Sequence, residues 1–493
     1  MRPFDLMQNT YDEWVVLVSI VFMVYVSNII RVGPNTVLFN SPSAYKDIYS
    51  HKANTFKDKF YSVWKRNEDD KSVFNTTDIA VHSRKRKIFN TVFTDKSIRS
   101  AQPFIINIID RWNDLSITGD DWSEPIDLAP WIDYLVFDIL GDLCFGESFR
   151  TIEPGENVFK IIPDAIVSYM NFWNIITKSP FLDLILHLKP RGLNGLLDLL
   201  TPKAIQHYYD FLDQKVSARI ASELLLQQTT ETRKGEVDRS SIEPRKDMLH
   251  HLLRATDPTT AQPAYPSKTE LLAEANVLVI AGSHTTSTAL VAIFFYLTHS
   301  PRVYRKLTTS IRDTFASPAE IVDGSKLSSC VYLRACIDEA LRLAHPGPSE
   351  MPRRVLQGGA SIDGVYVPEG TTVGFAGWAS GHDRGTYGDD FAVYRPERWI
   401  VGRDGHGDGE AEEKVRYIRS AFHPFTAGPG NCVGQNLAGL EMMLICARTL
   451  WRMDVRVATG TGEGKEGEVM EVEDAYIALP KGVVVQFRRR EFD

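Results

Sequence analysis

Cys432 projects from a stretch rich in glycine, residues 425–434 (FTAGPGNCVG), and a helix-forming run, residues 435–450, begins directly after it. A thiol beside a helix N-terminus is drawn toward thiolate by the exposed N–H groups and the helix dipole, and thiolate is the form that ligates metal. A glycine on each side lets a flat cofactor approach the backbone closely. A second cluster of small residues, Ala281-Gly282-Ser283-His284-Thr285-Thr286, lies inside a long apolar helical run. Glycine within a helix costs about 1 kcal/mol relative to alanine, so the cluster calls for a reason, and a plate-shaped ligand crossing the helix is one. The plainer readings are a buried cysteine in a Gly-Pro turn and a hydrogen-bonded core histidine.

Residues 425–434 resemble the haem-binding loop of the cytochrome P450 family, Phe-x-x-Gly-x-Arg-x-Cys-x-Gly. Phe425, Gly428, Cys432 and Gly434 match, Pro429 is familiar in fungal members, and Gly430 stands where the pattern has arginine. The resemblance implies a mainly α fold with a smaller β-sheet part. It implies haem b as cofactor, with Cys432 as the axial metal ligand and Phe425 and Gly434 beside it. The thiolate would donate electron density that favours O–O cleavage. Residues 281–286 then correspond to the family's Ala/Gly-Gly-x-Asp/Glu-Thr-Thr/Ser. That match places Ala281 and Gly282 toward substrate and gives Thr285 a hydroxyl that directs a proton during oxygen activation. His284 occupies the acid position. Its imidazole, with an ordinary pKa of about 6.5, could shuttle protons, lower the coupling of O2 use to product, or mark altered chemistry.

The resemblance assigns further residues. His82 and Arg86, four apart on one helical face, occupy the positions of the family's Trp-x-x-x-Arg and are expected at a haem propionate. Arg354 is the expected second propionate ligand, with Arg353 as fallback. Arg84, Lys85 and Lys87 are expected to point elsewhere and to suit an acidic redox partner. Glu339 and Arg342 form a Glu-x-x-Arg pair, which alone is a weak motif. Followed by His345-Pro346, and with Arg398 from Pro396-Glu397-Arg398-Trp399, they are expected to build a buried structural network.

The elements that must hold these residues follow from periodicity and turn chemistry. Residues 28–35 read as a first strand and 43–50 as a short helix. Residues 60–78 read as a polar loop that the resemblance turns toward substrate. Residues 131–149 repeat apolar positions at helical spacing and read as a core helix. The resemblance makes residues 158–200 a mobile lid. Ser267 with Glu270 forms a capping box that opens a helix running to about Thr298. Residues 332–343 are helical, 361–370 a β-hairpin, and 471–490 short strands. Residues 227–245, 402–413 and 460–467 read as loops.

At 493 residues and 43% hydrophobic, the chain can bury a large core, and a net charge of −8 with both signs interspersed implies no polyanion partner. Nucleic acid is not an expected partner. Five widely spaced cysteines without a C-x-x-C pair argue against a disulfide scaffold and for a reducing compartment. Residues 1–27 read as a possible membrane anchor. The uncharged run 14–27, extended to 30, falls near the lower edge of the roughly 17–25 residues a spanning helix needs. The family's hinge and first helix are expected to be absent before the haem-thiolate domain, residues 28–493.

The chain carries no flavin or nicotinamide fingerprint, so electrons are expected from a separate NADPH-cytochrome P450 reductase at the cytosolic face of the endoplasmic reticulum. The expected reaction inserts one atom of O2 into a lipophilic small molecule, in specialised metabolism. Three other readings stay open. They are rearrangement, dehydration or coupling without net oxygen insertion, a non-catalytic haem-binding relic, and an unrelated helical protein that mimics the pattern.

Overall fold

The computed structural model describes residues 28–117, 119–232, 246–257, 260–402, 409–460 and 467–491. The apolar run 14–27 and the glycine-rich stretches 403–408 and 461–466 lie outside the described residues. So do residues 233–245 of the expected loop, whose first residues instead extend a helix to Thr232. Residues expected to close the other loop at 413 belong to a helix, Gly409–Ala421, whose first turn carries Glu410 and Glu412. Acidic side chains suit that end of the helix dipole.

The described chain divides into two compact units. One takes the described residues up to Lys59, Thr288–Cys432 and Val455–Gln486. Its five-stranded sheet runs in the order Ile29–Gly33, Thr36–Phe39, Thr372–Phe375, Arg353–Val355, Thr55–Lys57. The first pair is antiparallel with Ile30 opposite Leu38, and Thr36–Phe39 runs parallel to Thr372–Phe375 with Val37 opposite Val373. Phe39, Ile48, Val355, Ile362 and Val373 bury one face of this unit's apolar core. Side chains alternate along a strand, so Arg353 and Val355 turn inward and Arg354 outward. The expected hairpin pairs Ala360–Ile362 with Val365–Val367, and Asp363 and Gly364 turn it with φ of 50° and 77°.

The same unit holds a wholly buried charge network. The Glu339 carboxylate accepts hydrogen bonds from Arg342 Nε and Nη2 at 2.9 Å each, from Arg398 Nε at 2.8 Å and from Trp399 Nε1 at 2.9 Å. Burial alone would push this carboxyl up, but Arg342 first and Arg398 next outweigh it and hold it below its ordinary value. A buried pair that loses one partner is destabilised by about 3–5 kcal/mol, so the three residues stand or fall together. Nearby, Glu397 accepts from Arg302 Nη1 at 2.8 Å, Lys306 Nζ at 2.6 Å and Tyr332 OH at 3.0 Å.

The other unit, Phe60–Ser287, Val433–Asp454 and Phe487 onward, is helical. The expected core helix spans Leu128–Phe145 and stops at Gly146, whose φ of 77° suits glycine. The long helix Lys268–Thr298 begins where Ser267 Oγ accepts the Glu270 N–H at 3.2 Å. Among the described residues it alone is long and apolar enough to cross a membrane, and 72% of its most apolar window is buried, as befits a core helix. Residues 60–78 are less open than a polar loop. A short 3-10 turn, Lys59–Trp64, buries Tyr61, Val63 and Trp64, because its aromatics find apolar neighbours such as Phe74. The stretch expected as a lid forms the helices Ile162–Thr177, Leu182–Leu188 and Leu193–Leu200, with Phe181, Leu184, Leu196 and Leu199 left exposed. Lys189 pins it to that turn, donating to the carbonyls of Val63 at 2.7 Å and Lys65 at 2.6 Å.

One expectation fails here. The basic run on helix Ile79–Val92 does not form a solvent-facing patch. Lys85 is 1% exposed and sits 3.0 Å from both Glu270 and Glu274, while Arg84 bonds Asp257 at 3.2 Å. Helical spacing puts Lys85 on the buried face with His82 and Phe89, and the acidic first turns of the long helix receive it. Of the three residues only Lys87 is exposed.

Burial would push the Glu397 carboxyl up, yet hydrogen bonds from Arg302 and Lys306 hold it at about 2. A depressed carboxyl contributes stability that is fully present above the ordinary carboxylate pKa and is lost as pH falls through the folded value. The urea midpoint should therefore drop as pH is lowered from 5 to 2. Glu397→Gln should lower the midpoint at pH 7 and flatten the acid limb, and an equally steep limb in the variant would contradict this assignment.

Candidate functional site

In the first unit, Cys432 stands on a loop closed by its own backbone. The Cys432 N–H donates to the Phe425 carbonyl at 2.8 Å, the Asn431 N–H to Gly428 at 3.2 Å, and the Thr426 hydroxyl to Gly430 at 3.0 Å. Thr426 adopts a φ of 57° and Gly428 one of 64° to make the bend. The loop is seated tightly. A Cβ on Gly428 would lie 1.9 Å from the Tyr49 carbonyl oxygen, which only glycine avoids. Cys432 is exposed, whereas Cys144, Cys330, Cys336 and Cys446 are buried and none is in a disulfide. Burial pushes the Cys446 thiol up to about 12, so it stays protonated.

Gly430 has a partner for its bare backbone. A Cβ there would meet Arg353 Nη2 at 2.8 Å. The guanidinium of Arg353 thus stands beside the position where the P450 pattern carries an arginine, over the ring of Tyr49 at 5.0 Å and donating to the Pro352 carbonyl at 3.2 Å. The expected propionate ligand, Arg354, lies on the outward face of its strand and is not brought to the loop. Strand alternation turns Arg353 and not Arg354 toward the loop, which spacing to Gly364 could not report. The donor set fits a haem thiolate: one exposed thiol, no side chain at positions 428 and 430, and a guanidinium alongside. Glu339, Arg342 and Arg398 meet in this same unit, away from solvent.

In the second unit, Gly434 is the N-cap of the helix Gln435–Arg452. His82 and Arg86 occupy one face of helix Ile79–Val92, His82 buried and Arg86 half-buried, with Arg86 Nε donating to Asn90 Oδ1 at 2.9 Å. On the long helix, Ala281 is exposed and Thr285 half-buried amid buried neighbours. The Thr285 hydroxyl donates to the Ala281 carbonyl four residues back at 2.7 Å, which leaves both its lone pairs available. Gly282 faces elsewhere: a Cβ would strike Leu140 Cδ1 at 2.7 Å, so close packing against the core helix accounts for this glycine.

His284 is buried and engaged at both ring nitrogens, Nε2 to the Pro163 carbonyl at 3.1 Å and Nδ1 to Asp133 Oδ1 at 3.2 Å. Burial would drive its pKa down, but Asp133, the Pro163 carbonyl and Asp164 outweigh that and raise it. Sequence reasoning missed Asp133 entirely. Nothing in a one-dimensional pattern pairs positions so far apart.

Residues 26–473 match the family model described as cytochrome P450. The chain is 32% identical over 465 residues to a cytochrome P450 monooxygenase of Gibberella zeae, covering 90% of this chain and 97% of that protein. It is 31% identical over 469 residues to the cytochrome P450 monooxygenase poxM of Penicillium oxalicum, covering 94% and 83%. To the cytochrome P450 monooxygenase apf7 of Gibberella fujikuroi it is 32% identical over 488 residues, covering 94% and 86%.

The two loop glycines should respond differently to alanine. Gly428→Ala meets a rigid carbonyl in a left-handed bend, where the backbone alone costs about 1–2 kcal/mol, and should lower the melting temperature and haem content together. Gly430→Ala meets only the flexible end of Arg353 and should melt nearly as the parent does. Equal losses in melting scans and haem assays would refute the seating described here.

Proposed function

The chain belongs to the cytochrome P450 family, and from that premise we propose that it is a haem b monooxygenase of specialised metabolism, inserting one atom of O2 into a lipophilic small molecule. The observation that carries the reading is Cys432, the one exposed cysteine of five, set on a backbone-closed loop that ends two residues before a helix. Family members use O2 and a redox partner. We assign the electrons to a separate NADPH reductase and the location to the cytosolic face of the endoplasmic reticulum, following the apolar run 14–27.

Haem, when bound, supplies the oxygen chemistry, and a thiolate ligand favours O–O cleavage. The chain's residues bind and orient. Cys432 would hold the iron, with N–H groups of the following helix start favouring its charged form. Arg353, Arg86 and His82 would hold the propionates, each charge-assisted hydrogen bond contributing about 1.5–3 kcal/mol. Arg353 takes the place first given to Arg354. Thr285 offers a hydroxyl to hold and pass a proton, and Ala281 keeps that helix face low enough for substrate. The resemblance makes residues 158–200 a lid, and the exposed Phe181, Leu184, Leu196 and Leu199 suit a lipophilic substrate. The guanidinium beside Gly430 weighs against the reading as a non-catalytic haem-binding relic, for which Gly430 is one motive.

The reduced, CO-bound difference spectrum tests the proposal. The parent should show a thiolate-type Soret band that disappears in Cys432→Ala. With a reductase and an oxidised substrate in hand, Thr285→Ala should lower product formed per O2 consumed by roughly tenfold or more. A Cys432→Ala protein that keeps the band, or product free of labelled oxygen under isotopic O2, would overturn it.

A further inference from the structure

The family pattern has a carboxylate at position 284, and this chain has histidine, yet a carboxylate from a neighbouring helix lies beside that histidine. Asp133, on the core helix Leu128–Phe145, reaches the long helix at two points. Its Oδ1 lies 3.2 Å from His284 Nδ1 and accepts the hydroxyl of Ser287. Residues 284 and 287 flank Thr285 on either side. His284 carries the linkage on to a third element, since its Nε2 faces the carbonyl of Pro163 in the first turn of helix Ile162–Thr177.

Both ring nitrogens of His284 therefore meet acceptors. A neutral imidazole has one donor and one lone pair, so either tautomer would turn a lone pair toward an oxygen. Only the imidazolium satisfies both contacts. The side chain is 4% exposed, and a charge so deeply buried persists only when paired. The groups that face it are Asp133 from one helix and Asp164 from another, with Tyr134 lying near both carboxylates, and all the charge they carry is negative. A free proton shuttle would keep one nitrogen open; this ring has none.

We propose that Asp133 is a positioning residue for Thr285, supplying from a neighbouring helix the carboxylate that the family pattern places at 284, and clamping the oxygen-activating turn through a charged His284 and through Ser287. The inference rests on the monooxygenase reading. The clamp has a pH sense. Asp133 and its neighbours raise the His284 pKa against the opposing effect of burial, so the imidazolium's contribution is fully present below the ordinary histidine value of about 6.5 and is lost as pH rises through the folded value.

The test uses the full-length holoprotein with and without Asp133→Asn. In ring-nitrogen NMR, with His284 assigned by its disappearance in His284→Gln, the parent should hold a doubly protonated His284 at pH 7, and Asp133→Asn should move its titration down. Amide exchange over residues 281–288 should quicken by roughly tenfold in Asp133→Asn, and in the parent as pH passes the His284 titration after correction for intrinsic rates. Where Asp133→Asn fails to fold, Ser287→Ala removes one leg of the clamp and should quicken exchange over the same segment. Product formed per O2 should fall across the same pH range in the parent, with the break displaced in Asp133→Asn. A neutral His284 at pH 7, a titration indifferent to Asp133, or unchanged exchange in the variants overturns the clamp. So does a product ratio that stays flat while His284 titrates. A parent that shows the NMR and exchange signatures but turns over nothing would sink the monooxygenase reading and leave the clamp standing.

Discussion

A carboxylate with no water to solvate it is stable only if protein donors replace the water, and the Glu339 site is built on that constraint. Arg342, Arg398, Trp399 and the backbone N–H of Arg395 all donate to the carboxylate. Arg342 Nη1 donates in turn to the carbonyls of Gly381 and Phe391, and Arg398 reaches those of Tyr387 and Asp390. Helix Val331–Leu343, the short helices Gly377–Gly381 and Arg384–Tyr387, the 3-10 turn Pro396–Trp399 and the loop at Asp390 and Phe391 are thereby tied to a single point. Trp399 carries the order onward by packing on Phe422 at 4.6 Å, immediately before the cysteine loop begins. Through Trp399 and Phe422 the network is linked to the segment from which Cys432 projects.

Charge burial recurs with different consequences elsewhere. Lys85 is taken into the interior by Glu270 and Glu274, and the Glu274 carboxyl is pushed up by burial more than the lysine lowers it. Lys189, buried against backbone carbonyls and the ring of Trp173 at 4.5 Å, is pushed down to about 8 by burial. Glu441, on the helix that follows the cysteine, is pushed up to about 8 by burial alone and is therefore mostly protonated at neutral pH. The sequence writes all of these as ordinary charged positions. Their state is a property of the surroundings, since the same side chain in water would sit near its ordinary value.

Local rules were enough for much of this chain. The cysteine loop, the capping box at Ser267, the hairpin at Asp363-Gly364 and the Glu339–Arg342 spacing are short-range features. Turn sterics, first-turn hydrogen bonds and helical periodicity act within a few residues, so the residues themselves report them. The class of cofactor was legible differently, through the resemblance of residues 425–434 to the family's haem-binding loop, and membership of the family supports a haem-thiolate cofactor.

Tertiary structure decided the rest. Which arginine faces the cysteine loop depends on strand alternation, which turned Arg353 in and Arg354 out. Whether the basic run 84–87 meets solvent depends on what packs over it, and two glutamates from a distant helix do. Gly282 looked like room for a ligand and proved to be room for Leu140. His284 read as a possible shuttle until Asp133 and Pro163 were found at its two nitrogens. In each case the deciding partner is far away in the chain. Sequence by itself determined which groups could do chemistry, because reactivity and local geometry travel with the residue. Only the fold determined which of them are charged, exposed and facing one another, because burial and pairing are made by neighbours that no local pattern names.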